Sequence, residues 1–138
     1  MRVLIVEARF YDDIADMLVA GATAELTAQN IECERITVPG ALEIPAAIKF
    51  ASEKYDAFIA LGCVIRGETS HYDIVAGDSA RAIMDMTTQD GLCIGNGILT
   101  TETRQQAVTR ADPQAKNKAR DAAIAAIAMA KLKQKFGA

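Results

Sequence analysis

DAFIALGCVIRGETSHYDIV, residues 56–75, decides the reading of this chain. Positions 56–65 are almost continuously apolar, with no polar alternation to mark a wet face. A strand buried on both faces reads this way, as in a parallel sheet covered by helices. Arg66 and Gly67 end the run. Glu68, Thr69 and Ser70 can cap a helix. In that helix His71, Ile74, Val75 and Asp78 share a face, followed by Ala82, Ile83 and Met86.

The flanks repeat the pattern. RVLIVEA (2–8) is a β-rich run and reads as another buried strand. Beyond it, Ile14, Met17, Leu18, Ala22 and Leu26 recur at helical spacing, with Asp12 or Asp13 near the helix start. ECERIT (32–37) is an alternating strand. VPGALEIP (38–45) breaks the pattern, and Pro45 suits the first turn of a helix running on through AAIKFASEKY. GLCIGNGILT (91–100) is a fourth strand, and TETRQQAVTRA (101–111) a short helix. A last amphipathic helix is expected from about Gln114 to Phe136. Strands alternating with helices call for a parallel sheet covered on both faces.

Composition agrees. The chain has 138 residues, a one-domain length, so the expected unit is a single domain over 1–138. Apolar residues make up 51%, many of them alanine, which suits helices packed closely on a small sheet. The net charge of −3 and the lack of a basic patch argue against nucleic acid as a partner. Basic residues gather in KNKAR (116–120) and KLKQK (131–135); the second cluster suits a solvated helix end. No apolar run is long enough to span a bilayer, and the start does not read as a signal peptide. Cys33, Cys63 and Cys93 are odd in number and widely spaced, which fits a reducing cytoplasm better than a disulfide framework. Without CxxC or HxxxH, a zinc site lacks ligands, so no metal is expected.

In a parallel sheet, ligands sit beyond the carboxyl ends of the strands. That rule gathers Phe10, the PGALE loop, the VIRGETSH turn and Asn96 toward one edge. Gly67 permits close backbone approach, and the amides of Glu68 to Ser70 open a helix. Free amides at a helix start hold phosphate readily. His71, the only histidine, stands one turn away, and imidazole is the side chain suited to proton transfer near neutrality. No Walker loop or GxGxxG is present, so the anion belongs to a small phosphate ester. Each residue also has a plainer reading: His71 as a helix residue, Glu43 as a first-turn acid, Arg110 and Lys118 as surface charges, Phe10 as core. Cys63 beside His71 raises the further reading of a thiol nucleophile, although no third group to orient the imidazole is evident.

VPGALEIP, LGCVIRGETSHYDIV, NGILTTET and QAVTRA…NKARDAA, in this order, resemble the lumazine synthase family over nearly the whole chain. The resemblance implies a three-layer α/β/α domain with a four-stranded parallel sheet, flavodoxin-like, in order 2-1-3-4. It implies condensation of 5-amino-6-ribitylamino-pyrimidinedione with 3,4-dihydroxy-2-butanone 4-phosphate, the penultimate step of riboflavin synthesis. No metal and no organic cofactor are implied. Phe10 would stack on the pyrimidine, and Ala41, Leu42 and Glu43 would hold the ring and ribityl chain. Cys63 belongs to the same substrate-binding set, and Val64 and Ile65 would meet the ring edge. Gly67, Glu68, Thr69 and Arg110 would surround the phosphate, with Lys118 nearby. His71 would transfer protons, and Asp121 would orient His71 or Lys118. Asn96, Arg110 and Lys118 would come from a neighbouring subunit of a pentamer or an assembly of pentamers, and riboflavin synthase is an implied associate. The chain departs from the family pattern at Tyr11, Glu68 and Asn96 and in ADPQAKNKA, and it begins directly at its first strand. A receiver domain shares the doubly wound order but needs an Asp ending its third strand, where LGCVI stands. A non-catalytic flavin-binding or shell-forming relative is the other alternative, and the intact Glu43, His71, Arg110 and Lys118 speak for activity.

Overall fold

The first strand, β1 (Val3–Ala8), is buried at every position, so both faces of the sheet at its centre must be covered. The computed structural model, which describes residues 1–138, shows how. After β1 come α1 (Asp12–Ala28), β2 (Cys33–Val38), a 3₁₀ turn at Ala41–Glu43 and α2 (Ile44–Phe50). β3 (Ala57–Ile65), α3 (His71–Asp90), β4 (Ile94–Thr101), α4 (Arg104–Ala111) and α5 (Lys118–Phe136) follow. All strand pairs are parallel, in the order β2-β1-β3-β4. This is the α/β/α, flavodoxin-like arrangement expected from the sequence.

Alternation along β1 divides the core. Val3 and Ile5 face Ile14, Leu18, Ala22 and Leu26 of α1 and the alanines Ala119, Ala123 and Ala126 of α5. Leu4, Val6 and Ala8 face Ile44 and Ile48 of α2 and Ile83 and Met86 of α3. Burying one such Leu or Ile contributes about 1.5–3 kcal/mol. The alanine content is used where α5 lies on β4. A Cβ placed on Gly95 would stand 1.9 Å from the carbonyl oxygen of Ala122, so helix backbone rests directly on the strand.

Several boundaries differ from expectation. α2 stops at Phe50, and Ser52 and Lys54 then donate backbone bonds to Lys49 and Ala51 in a turn. β4 begins at Ile94, because Gly91 is in the left-handed region (φ 69°) and closes α3. α5 begins at Lys118. Ahead of it the Asp112 carboxylate accepts from the Gln114 amide at 2.8 Å, and Asn117 has φ 47°, which no continuous helix allows. On α3 the buried face is Val75, Ser79, Ile83 and Met86, while Ile74 and Asp78 point outward. α4 is opened by a capping box between Thr103 and Gln106.

The topology fixes where a crevice opens. From β1 the chain crosses to β2 on one side, and from β3 to β4 on the other. The loops leaving β1 and β3 therefore part at the middle of the sheet, the usual ligand position in such folds.

Candidate active site

A cavity of about 400 Å³ lies at that switch point. Phe10 and Tyr11 enter it from the turn after β1, and Gly40, Ala41, Leu42 and Glu43 from the connection after β2. Cys63, Val64, Ile65, Gly67 and Thr69 line it from the end of β3 and its turn, and His71, Tyr72 and Val75 from α3. Most of the wall is apolar. Phe10 is 75% exposed, so it is not core, and packs edge-on against Tyr11 with ring centroids 4.9 Å apart.

The β3–α3 turn supplies the polar end. The backbone N–H groups of Gly67, Glu68, Thr69 and Ser70 make no hydrogen bond within the chain, and Ser70 gives no side-chain cap. The Thr69 hydroxyl accepts from the His71 amide at 3.3 Å. A run of unpaired amides at the start of a long helix is a cradle for an anion. Gly67 lies outside the left-handed region, and a Cβ there would meet nothing within 4 Å. Its lack of a side chain therefore matters only to what approaches from outside. Glu68 is exposed and does not line the cavity.

Arg66 braces this turn. Its fork donates to both Asp73 oxygens at 3.1 and 3.3 Å, and its Nε stands 2.8 Å from Glu102. The guanidinium lies 4.3 Å above the Tyr72 ring. The hydrogen bonds to Asp73, with the charge of Glu102, hold it protonated above its already high value. Two carboxylates thus occupy the cation nearest the amide cradle. Burial pushes the Cys63 thiol up to about 11, with Arg104 opposing and Asp13 adding to the shift. The shift runs opposite to the lowered value that an activated thiolate needs, which argues against the thiolate-nucleophile reading.

A second groove, of about 410 Å³, runs along β4 and the start of α5. It holds Asn96, Arg110, Lys118 and Asp121 and shares no residue with the first cavity. Arg110 donates to the Gln106 carbonyl at 3.1 Å. Lys118 donates to Asp121 at 3.3 Å, so Asp121 is paired with Lys118 rather than with His71 of the same chain. The Asn96 side-chain oxygen accepts from the Ile98 amide at 2.9 Å. Asn96 does not join Phe10 and His71 in a loop beyond the strands, as the sheet-edge rule predicts; β4 runs on to Thr101, so Asn96 lies inside this edge strand.

Ten of the expected site residues therefore meet in one cavity: Phe10, Ala41, Leu42, Glu43, Cys63, Val64, Ile65, Gly67, Thr69 and His71. Asn96, Arg110 and Lys118 meet in another. Tyr72 and Val75 also line the first cavity and are not among the expected site residues. For Val75 the signal is position, since a helix that presents His71 also presents the residue four places on.

Fold and site define a doubly wound α/β protein with a small-molecule cavity at the switch point of its sheet. Residues 1–134 match the family described as 6,7-dimethyl-8-ribityllumazine synthase. The chain is 60% identical to the 6,7-dimethyl-8-ribityllumazine synthase of Erythrobacter litoralis, with 99% of each chain covered. It is 63% identical to that of Zymomonas mobilis, with 96% of each covered, and 59% identical to that of Novosphingobium aromaticivorans, again with 96% of each. The chain belongs to the 6,7-dimethyl-8-ribityllumazine synthase family.

Proposed function

We propose that this chain condenses 5-amino-6-(D-ribitylamino)uracil with 3,4-dihydroxy-2-butanone 4-phosphate. The products are 6,7-dimethyl-8-ribityllumazine, phosphate and water. The carrying observation is the division of labour between two separate grooves. One has the imidazole, the aromatic lip and the free amides but no uncommitted cation; the other has Arg110 and Lys118 but no proton-transfer group. A phosphate ester is served when the second groove of one copy closes on the first cavity of another. A head-to-tail contact of that kind generates a ring, and the family resemblance favours a pentamer or an assembly of pentamers.

In this reading Phe10 stacks on the pyrimidine, while Ala41 and Leu42 hold ring and ribityl chain and Glu43 accepts hydroxyl hydrogen bonds. Cys63 fills the wall, and backbone groups of Val64 and Ile65 meet the ring edge. The amides from Gly67 to Thr69 take the phosphate, and the Glu68 side chain stays in solvent. Arg110 of the neighbouring copy clamps the phosphate, a charge-assisted fork suited to the dianion that leaves. Asn96 and Lys118 accompany it. The 5-amino group attacks the ketone and one water departs; phosphate is then eliminated, and the ribitylamino nitrogen closes the ring on the second carbonyl with loss of a second water. Each step moves a proton, so His71 serves repeatedly. Both substrates are reactive, so positioning supplies much of the acceleration. The reaction needs no metal or organic cofactor. Three free cysteines support a cytoplasmic setting. Riboflavin synthase, which the resemblance implies as an associate, is the partner we assign.

Co-assembly tests the shared site. One variant carries Leu42→Arg with His71→Ala, and the other Arg110→Ala with Lys118→Ala. Each alone should lose lumazine formation. Reassembled from equal amounts, about one quarter of the sites pair two intact halves in a head-to-tail ring, and activity should return to about that fraction. A mixture as inactive as its parts would refute the shared site.

A further inference from the structure

Glu7 is the one buried carboxylate of the chain, 1% exposed, on β1 between Thr37 and Leu61 of the adjoining strands. It faces the α1 layer, where a carboxylate loses its hydration. Arg9 Nη1 donates to it at 2.5 Å. Arg35 Nε lies 3.1 Å from its other oxygen, without the alignment of a hydrogen bond. Glu7 is desolvated while 24% of the Arg9 side chain stays exposed, and a pair that buries a charge in this way is seldom worth more to stability than an apolar pair of similar size. Stability therefore does not account for it.

Geometry does. Arg9 also donates to the Asp12 carboxylate at 3.1 Å, to the Asp12 carbonyl at 3.2 Å and to the Asp16 carboxylate. One guanidinium thus ties the strand behind the turn to the helix ahead of it. On the other side, Tyr11 packs against the core. Phe10 stands between these anchors, exposed at the mouth of the cavity. An exposed aromatic on a loose turn would lose conformational entropy each time it captured a ring, whereas one held by folding has lost it already.

We propose that Glu7 and Arg9 are positioning residues for ring binding: the buried carboxylate fixes Arg9, and Arg9 fixes the turn that holds Phe10 over the cavity. The kinetic consequence rests on the reading of Phe10 as the stacking partner of the pyrimidine substrate. Neither residue touches the reacting atoms.

The chain has no tryptophan, so Phe10→Trp supplies a single indole, which can be excited apart from the tyrosines. In that background, Glu7→Leu with Arg9→Met replaces the ion pair by an apolar pair. Time-resolved anisotropy should gain a fast component, while the thermal midpoint holds or rises. In the chain that keeps Phe10, the same pair of substitutions should raise KM for the pyrimidine about tenfold, the loss of most of one base–aromatic stack. KM for the butanone phosphate should not move. Unchanged anisotropy, or an unchanged pyrimidine KM, would overturn the proposal. If the double variant does not fold, Arg9→Lys, which keeps the charge and loses the fork, carries both readouts. Failure of the functional reading shows separately, as no turnover by the unsubstituted chain, and anisotropy then decides the positioning claim by itself.

Discussion

Gly95→Ala is the sharpest test of how α5 is seated. The added methyl carbon would stand 1.9 Å from the Ala122 carbonyl oxygen and 2.7 Å from its carbon. Both are backbone atoms, so no rotamer change relieves the contact. The helix must lift by about 1–1.5 Å to restore van der Waals separation. That loosens the strip where Ala119, Ala122, Ala123 and Ala126 are buried. Overpacking costs about 1–3 kcal/mol when side chains can adjust, and a clash with backbone belongs at the upper end. Alanine returns up to about 1 kcal/mol through lower backbone entropy in the unfolded chain. The net loss is about 2 kcal/mol, which lowers Tm by about 4–8 °C for a chain of this size. Urea unfolding at fixed protein concentration gives the value as a fall in midpoint at constant slope. Gly77→Ala is the control. A Cβ there meets nothing within 4 Å on the exposed side of α3, and the change should stabilise by about 0.5–1 kcal/mol. A Gly95→Ala midpoint equal to or above that of the parent would refute the close seating. Because Lys118 and Asp121 ride on the same helix, the variant should also lose affinity for the phosphate substrate.

Arg110→Ala should raise KM for the butanone phosphate about 10- to 100-fold, the loss of a charge-assisted contact, while His71→Ala lowers kcat modestly. An unchanged KM in the Arg110 variant would refute the clamp. Gly67→Ala should leave the unfolding free energy within about 0.5 kcal/mol of the parent, since the added Cβ has open space, yet raise the phosphate KM by crowding the amide cradle. Equal KM values would show that the cradle is not used. The Cys63 thiol, pushed up to about 11, should resist iodoacetamide at pH 8. The unfolded thiol ionises near pH 9, so the stability held by burying it neutral is fully present below pH 9 and is lost as pH climbs toward 11. Cys63→Ala should remove part of that alkaline fall in the urea midpoint; a fall of the same size in both would refute the burial argument.

The two central strands were legible because burial on both faces leaves almost no polar position, Glu7 being the exception, so composition marks them. Helix ends were less so. Gly91, Asp112 and Asn117 set boundaries by individual backbone angles and side-chain-to-backbone bonds, which periodicity does not carry. The site shows the same division. Loops leaving β1 and β3 converge because strand order forces them to part at the sheet centre, and strand order could be reasoned from alternation and family resemblance. β4 lies one strand further out, so Asn96 and the groove it shares with Arg110 and Lys118 belong to another surface. Chain order says nothing of which surface a residue joins.

Glu7 carried a signal that the pattern masked. In RVLIVEA it reads as the polar end of an apolar run, whereas every position of a strand buried on both faces is interior. An acid at such a position requires a cation in reach, and geometry limits the choice. Arg9 is two residues on, and Arg35 lies on the adjoining strand close to the Glu7–Thr37 pair of the register. Once β1 and β2 are paired, those two arginines are the available partners, and the one in the turn beside Phe10 has a second task. A carboxylate held in the sheet core by a partner from a turn ties that turn to the sheet, and here the turn carries Phe10 at the cavity mouth.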